Sequence, residues 1–243
     1  MRFIGLNLTV PHKLLALEMV DVLDESAKTW GAVNTIRFEA RDAQGEWRPL
    51  HEFAGPIAGE IRAQGFNTDA DAITRSLRED LGVELAGARA LLLGAGGAGR
   101  VAALKLAAEG VSELFLVNRT AGKAGAIAVE IGRRFPRVKA ALGYPKGRVD
   151  LLLNATSLGL KPEDGSPLDE TQFSLSQAHS VYDMIYRPVE TPLLRAAKVA
   201  GCRVANGAGM LLYQGARALE LWSGQPAPVP AMRAALLKNI YGN

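Results

Sequence analysis

A chain that runs from an apolar strand through a glycine cluster into a helix, and back into a second apolar strand, has few ways to fold. Residues 88–120 read that way. Ala88-Arg89-Ala90-Leu91-Leu92-Leu93 is a strand signal, and Gly94-Ala95-Gly96-Gly97-Ala98-Gly99-Arg100 is a turn opening a helix that runs to Glu109. Leu114-Phe115-Leu116-Val117 is the returning strand, ending on Asn118-Arg119-Thr120. The unit is a βαβ whose glycine-rich first turn suits a dinucleotide diphosphate on a helix N-terminus. Gly94 permits the sharp turn, Gly96 and Gly97 remove Cβ atoms where the ligand approaches, and Gly99 lets helix and strand pack closely.

The end of the second strand decides between dinucleotides. An NAD site places a carboxylate there for the ribose hydroxyls, whereas this chain offers Asn118, Arg119 and Thr120, with Lys123 following. No acidic group repels a 2′-phosphate, and the planar fork of Arg119 can pair with one. NADP(H) is the expected cofactor.

Composition narrows the remaining classes. Of 243 residues 48% are hydrophobic, enough for an α/β protein with two cores, and a net charge of +3 with interspersed signs gives no nucleic-acid-binding face. Cys202 is the lone cysteine, so no internal disulfide exists, and His12, His51 and His179 show no metal-ligand spacing. No metal is expected. No apolar run reaches membrane-spanning length and no signal peptide is evident, which predicts a soluble, cytoplasmic protein.

In chain order, residues 3–8 read as a strand, with Pro11 suited to the first turn of the helix that follows. A short helix at residues 24–28 ends by Gly31, and residues 32–38 are rich in β-branched side chains. Residues 46–60 read as a loop with a short strand, and residues 70–81 as a helix stopped by Gly82. Beyond the nucleotide unit come strands at 150–153, 181–185 and 202–206, a helix started by Thr191-Pro192, a long helix to Trp222 and a last one to Tyr241. The alternation predicts a Rossmann-type, doubly wound parallel sheet with a second, smaller α/β substrate domain. The expected domains are residues 1–84 plus 214–243 for substrate and 85–213 for NADP. In such a sheet the loops after the strands line one crevice. That brings together Gly94, Ala95, Gly96, Gly97 and Ala98 with Asn118, Arg119, Thr120 and Lys123, then Asn154, Thr156, Ser157, Met184, Gly207 and Met210.

A nicotinamide enzyme acting on an alcohol needs a group to handle the hydroxyl proton, and Lys13 and Asp69 are the candidates. Taken singly, Lys13 suits a surface and Asp69 a helix cap. The segments around them add more. Gly5-Leu6-Asn7-Leu8-Thr9-Val10-Pro11-His12-Lys13, Gly31-Ala32-Val33-Asn34-Thr35 and Gly65-Phe66-Asn67-Thr68-Asp69 precede the glycine loop and Asn118-Arg119-Thr120. Asn154-Ala155-Thr156-Ser157, Met184-Ile185-Tyr186-Arg187-Pro188 and Asn206-Gly207-Ala208-Gly209-Met210 follow. This ordered set resembles the shikimate dehydrogenase family over nearly the whole chain.

The resemblance implies an NADP-dependent oxidoreductase that reversibly reduces 3-dehydroshikimate to shikimate in the aromatic amino acid (chorismate) pathway. Lys13 and Asp69 would be the catalytic pair, Thr9, Asn34 and Gln214 would bind the hydroxylated ring, and Tyr186 would lie near substrate and nicotinamide. The partner is therefore a small cyclic polyhydroxy carboxylic acid rather than a nucleic acid or a membrane. The family's first strand-helix-strand, with two serines for the substrate carboxylate, has no counterpart here, which implies an N-terminally shortened member. Arg48, His51 and Arg62 are basic groups that could stand in for those serines, and a second copy could cover the exposed edge strand. Dehydrogenation of quinate, aminoshikimate or another cyclic polyol, and NADP(H) binding without catalysis, are the alternatives.

Overall fold

Strand β1 (Gly5–Asn7) leads into helix α1 (His12–Met19), strand β2 (Val22–Leu23) and helix α2 (Glu25–Trp30) in a computed structural model that describes residues 3–9, 12–57, 59–161 and 163–242. Pro11, expected at the start of α1, lies outside the described residues. Short α2 is fixed at both ends. The Asp24 carboxylate accepts from the Ser26 N–H, and Gly31 closes the helix in the left-handed region at φ 64°.

Strand β3 (Thr35–Arg41) is the centre of the first sheet. It pairs antiparallel with β1, with β4 (Trp47–Pro49) and with β5 (Ile61–Phe66), and β2 joins the far side of β5 in parallel. The expected strand at 3–8 is thus three residues long, and the short strand expected within the 46–60 loop is β4, followed by a 3₁₀ turn, Leu50–Glu52. Strand β5 carries a polar face, with Arg62 and Gln64 opposite Glu39 and Arg37 of β3, and so lacks an apolar signature. Ala16, Ala27 and Val33 form a small core with Leu8, Leu17, Leu23 and Ile36 packed against it.

Helix α3 (Asp69–Leu81) is followed by β6 (Arg89–Leu93), α4 (Gly97–Ala108), β7 (Glu113–Val117), α5 (Ala121–Arg134), β8 (Lys139–Leu142) and β9 (Val149–Asn154). Then come β10 (Ala178–Asp183), α6 (Pro192–Val199), β11 (Arg203–Asn206), α7 (Ala208–Ser223) and α8 (Val229–Tyr241). The second sheet is parallel throughout, in the order β11-β10-β9-β6-β7-β8, so its direction of winding reverses between β6 and β9. That reversal is where open α/β sheets bind ligands. Strand β10 starts and ends earlier than the 181–185 read from sequence, because Asp183 is its last paired residue. Leu91, Leu152, Val181, Leu193 and Ala197 are among the fully buried side chains of its core.

The described chain divides into two units, Met1–Ala70 with Leu212–Ala235, and Asp71–Leu211 with Leu236–Asn243. The division runs through α3, which begins in the first unit and continues in the second, where Ser76 hydrogen-bonds Tyr182 at 2.9 Å. The sequence-based boundary at residue 84 falls beyond the end of that helix. No helix among the described residues is long and apolar enough to cross a membrane.

Candidate functional site

Two segments of the first unit, the start of α3 and α7, meet on the side-chain amide of Asn34. Asn34, 1% exposed at the entry to β3, accepts from the Thr68 N–H at 2.7 Å through its Oδ1. Its Nδ2 lies 2.9 Å from Thr68 Oγ1, 2.9 Å from Asp69 Oδ1 and 3.4 Å from Gln214 Oε1 on α7. The other oxygen of Asp69 accepts from Lys13 Nζ of α1 at 2.6 Å. The Lys13 side chain is 26% exposed and that of Asp69 11%, so the ion pair is half-shielded while Lys13 keeps access to solvent.

Asp69 opens α3, where a side-chain cap is expected, but Asn67 takes that role. Its Oδ1 accepts from the N–H groups of Asp69 and Ala70 at 3.1 Å each, and its Nδ2 donates to Ala32. The Asp69 carboxylate is thereby free for Lys13 and Asn34. Asn67 stood in a quoted motif with no role attached, and a polar residue two places before a helix start was the signal available. Thr9 is exposed in the turn between β1 and α1, its carbonyl accepting from the His12 N–H at 2.9 Å.

The basic residues that could stand in for those serines have other neighbours. Arg48 pairs with Glu52 at 2.5 Å, Arg62 pairs with Glu39 at 2.6 Å and lies over the Trp47 ring, and His51 packs against Gly224.

In the second unit the glycines differ in what surrounds them. Gly94 has φ 103°, and a Cβ on Gly99 would lie 2.2 Å from the Gly94 carbonyl oxygen, so both are demanded by the turn and the helix-strand contact. A Cβ on Gly96 or Gly97 would meet nothing within 4 Å. The open face over these two residues, at the N-terminus of α4, fits a diphosphate. Asn118 Oδ1 accepts from the Ala95 N–H at 3.0 Å and Nδ2 donates to the Thr120 carbonyl, so this side chain shapes the loop. Arg119, Thr120 and Lys123 are exposed beside it, with no carboxylate at positions 118–120 to oppose a 2′-phosphate.

Asn154 is fully buried. Its Oδ1 accepts from the Thr156 N–H and hydroxyl at 2.9 and 2.8 Å, and its Nδ2 donates to Asp183 at 2.9 Å. Burial pushes the Asp183 carboxyl up, opposed by hydrogen bonds from Thr191, Ile185 N–H and Asn154. Sequence reasoning passed over Asp183, although Thr191, its partner at 2.7 Å, was recognised as a helix cap. Gly207 is required by its neighbours, because a Cβ there would lie 2.0 Å from the Met184 carbonyl oxygen.

Ala98, Thr156 and Met184 line a pocket of about 1310 Å³ together with Tyr186, which is 40% exposed. Gly94, Ala95, Gly96, Gly97, Asn118, Arg119, Thr120, Lys123, Asn154, Ser157, Gly207 and Met210 lie outside its lining. Arg187 and Tyr241 line it as well, and neither was given a role from the sequence.

Three family models match: the shikimate dehydrogenase substrate binding domain over residues 1–36, shikimate / quinate 5-dehydrogenase over 76–157, and the shikimate 5'-dehydrogenase C-terminal domain over 207–237. Shikimate dehydrogenase (NADP(+)) of Methanopyrus kandleri is 37% identical over 244 residues, covering 98% of this chain and 77% of the relative. Among solved structures, shikimate 5-dehydrogenase from Thermus thermophilus in complex with NADP(H) and shikimate has a TM-score of 0.76 at 36% identity, over 98% of this chain and 80% of the other. Quinate dehydrogenase from Corynebacterium glutamicum in complex with NAD has a TM-score of 0.77 at 30% identity, over 97% and 78%.

The two kinds of glycine predict opposite phenotypes. Gly97→Ala is expected to leave the melting temperature unchanged and to weaken NADPH binding about tenfold or more, whereas Gly99→Ala is expected to cost about 1–3 kcal/mol of stability. Thermal melts and NADPH fluorescence titrations of both variants check this, and wild-type affinity in Gly97→Ala would remove the diphosphate from that loop.

Proposed function

The chain belongs to the shikimate dehydrogenase family, and on that premise we propose that it interconverts 3-dehydroshikimate and shikimate with NADP(H), using Lys13 and Asp69 to handle the proton. The observation that carries the reading is the Lys13–Asp69 pair at 2.6 Å, held from its far side by Asn34. NADP(H) supplies the hydride equivalent when bound. The Gly96-Gly97 face and the N-terminus of α4 would hold its diphosphate, and Arg119, Thr120 and Lys123 its 2′-phosphate. Met184, Gly207 and Met210, with the Asn154–Ser157 loop, would bound the nicotinamide end.

The reduction of a ketone leaves a developing negative charge on oxygen, which a positioned cation stabilises and protonates. Lys13 Nζ serves as that donor, and in the oxidation direction it accepts the hydroxyl proton. Asp69 keeps the ammonium aimed and can accept a hydrogen bond from the reacting hydroxyl. Partial solvent exposure of Lys13 lets it exchange the proton with water after each turnover. Thr9 and Gln214 would supply hydrogen-bonding groups for a polyhydroxylated ring, Asn34 would order Asp69 and Gln214 for it through its buried amide, and Tyr186 would stand by substrate and nicotinamide. The likeness to quinate dehydrogenase gives quinate as the second substrate to test.

A cytoplasmic homodimer completes the reading. Among the described residues β1 is the end strand of its sheet, with one face of its edge unpaired, which a second copy would cover. Sedimentation as a monomer at micromolar concentration would remove the dimer, and cell fractionation checks the compartment.

Purified protein with shikimate and NADP⁺ should reduce the cofactor at a rate that Lys13→Ala lowers by about 10²–10⁴-fold. A wild-type rate no higher than this variant's, with shikimate and quinate alike, would end the proposal in favour of binding without catalysis. Arg119→Ser should raise KM for NADP⁺ by roughly tenfold or more and leave that for NAD⁺ within about twofold. An equal effect on both cofactors in the same steady-state assay would assign Arg119 no part in the 2′-phosphate.

A further inference from the structure

Residues 184–190, which follow β10, form one wall of the pocket in the second unit, and Tyr186 is among them. Three carbonyls of this segment are held by donors from far along the chain. The Gly207 N–H donates to Ile185 at 3.1 Å, Asn206 Nδ2 donates to Val189 at 2.8 Å, and the Tyr241 hydroxyl donates to Tyr186 at 2.8 Å. Asn206 Nδ2 also donates to the Tyr241 hydroxyl at 2.9 Å, and its Oδ1 accepts from the Ala208 N–H at 3.0 Å. The amide of Asn206 therefore has one orientation, and it fixes the phenol that fixes Tyr186.

We propose that Tyr241 is a positioning residue, a latch on the last turn of α8 that sets the main chain of Tyr186 and with it the pocket wall that meets the substrate ring. The proposal rests on the reading of Tyr186 as a substrate-side residue. Two features separate a latch from ordinary packing. Helix α8 has no fully buried residue, so its last turn is held by specific bonds more than by a core. The bonded group is the carbonyl of Tyr186 itself, and Tyr241 lines the same pocket. Burial also pushes the Tyr241 phenol up, so the hydroxyl retains the proton that it donates.

Tyr241→Phe in the full chain removes one oxygen and keeps the ring. The expected result is a KM for shikimate raised roughly fivefold, the factor for one lost hydrogen bond, with the NADP⁺ dissociation constant within about twofold and the melting temperature little changed. Amide exchange in the peptide covering residues 184–190 should quicken by a similar factor while exchange in the sheet stays as in the wild type. Unchanged exchange in that peptide overturns the latch whatever the kinetics, as does acceleration spread over the whole unit. Tyr186→Phe and Tyr186→Ala run in parallel. Wild-type kinetics in both, with local exchange quickened in Tyr241→Phe, would keep the latch and remove Tyr186 from the substrate.

Discussion

A side-chain amide buried to the point that all of its polar atoms need protein partners sets the geometry of the first unit. Leaving one such atom unsatisfied costs about 1–3 kcal/mol, and Asn34, 1% exposed, avoids this only when Thr68 and Asp69 stand where they do. The start of α3 is thereby tied to the entry of β3. One oxygen of Asp69 is taken by that amide and the other is left for Lys13. The ion pair, at 2.6 Å, is consequently a result of the fold around Asn34.

The second unit uses the same device with a charge added. Asn154 is buried at the end of β9 and orders Thr156 through its oxygen, while its nitrogen is held by Asp183. Asp183 in turn receives Thr191 at the start of α6 and the Ile185 N–H. A carboxylate with no solvent exposure would be costly without such donors. Three segments at one edge of the parallel sheet are therefore registered against a single side chain, which gives the loops around Met184 and Tyr186 a defined starting point.

Much of this was legible in the sequence where local chemistry decides the structure. The glycine turn, the Thr191-Pro192 helix start and the Gly31 stop each have a backbone reason, and each occurs where it was read. Strand β5 and the hub at Asp183 were not legible, because both depend on partners distant in sequence: Arg62 and Gln64 make a strand only when Glu39 and Arg37 face them. Lys13 and Asp69, 56 residues apart, were paired by motif and resemblance, and nothing local predicts their contact. Tyr241 carried no signal at all, since a tyrosine near a helix end has no pattern that points 55 residues back to a carbonyl.

The basic residues of the segment between β3 and β5 illustrate how burial removes candidates from a site. Glu39 is 3% exposed and lies between Arg37 and Arg62, at 2.5 and 2.6 Å. Buried ion pairs of this kind add little net stability, but breaking one by withdrawing a partner is strongly destabilising, about 3–5 kcal/mol. For Arg62 to turn toward a substrate carboxylate it would have to leave Glu39 with Arg37 alone and give up its stacking on Trp47. One new charge-assisted hydrogen bond, about 1.5–3 kcal/mol, would replace two existing contacts. Arg48, exposed and paired with Glu52, carries no such penalty but gains as little from its present partner. Charge alone therefore selects neither residue for a carboxylate. Arg62 belongs to the sheet.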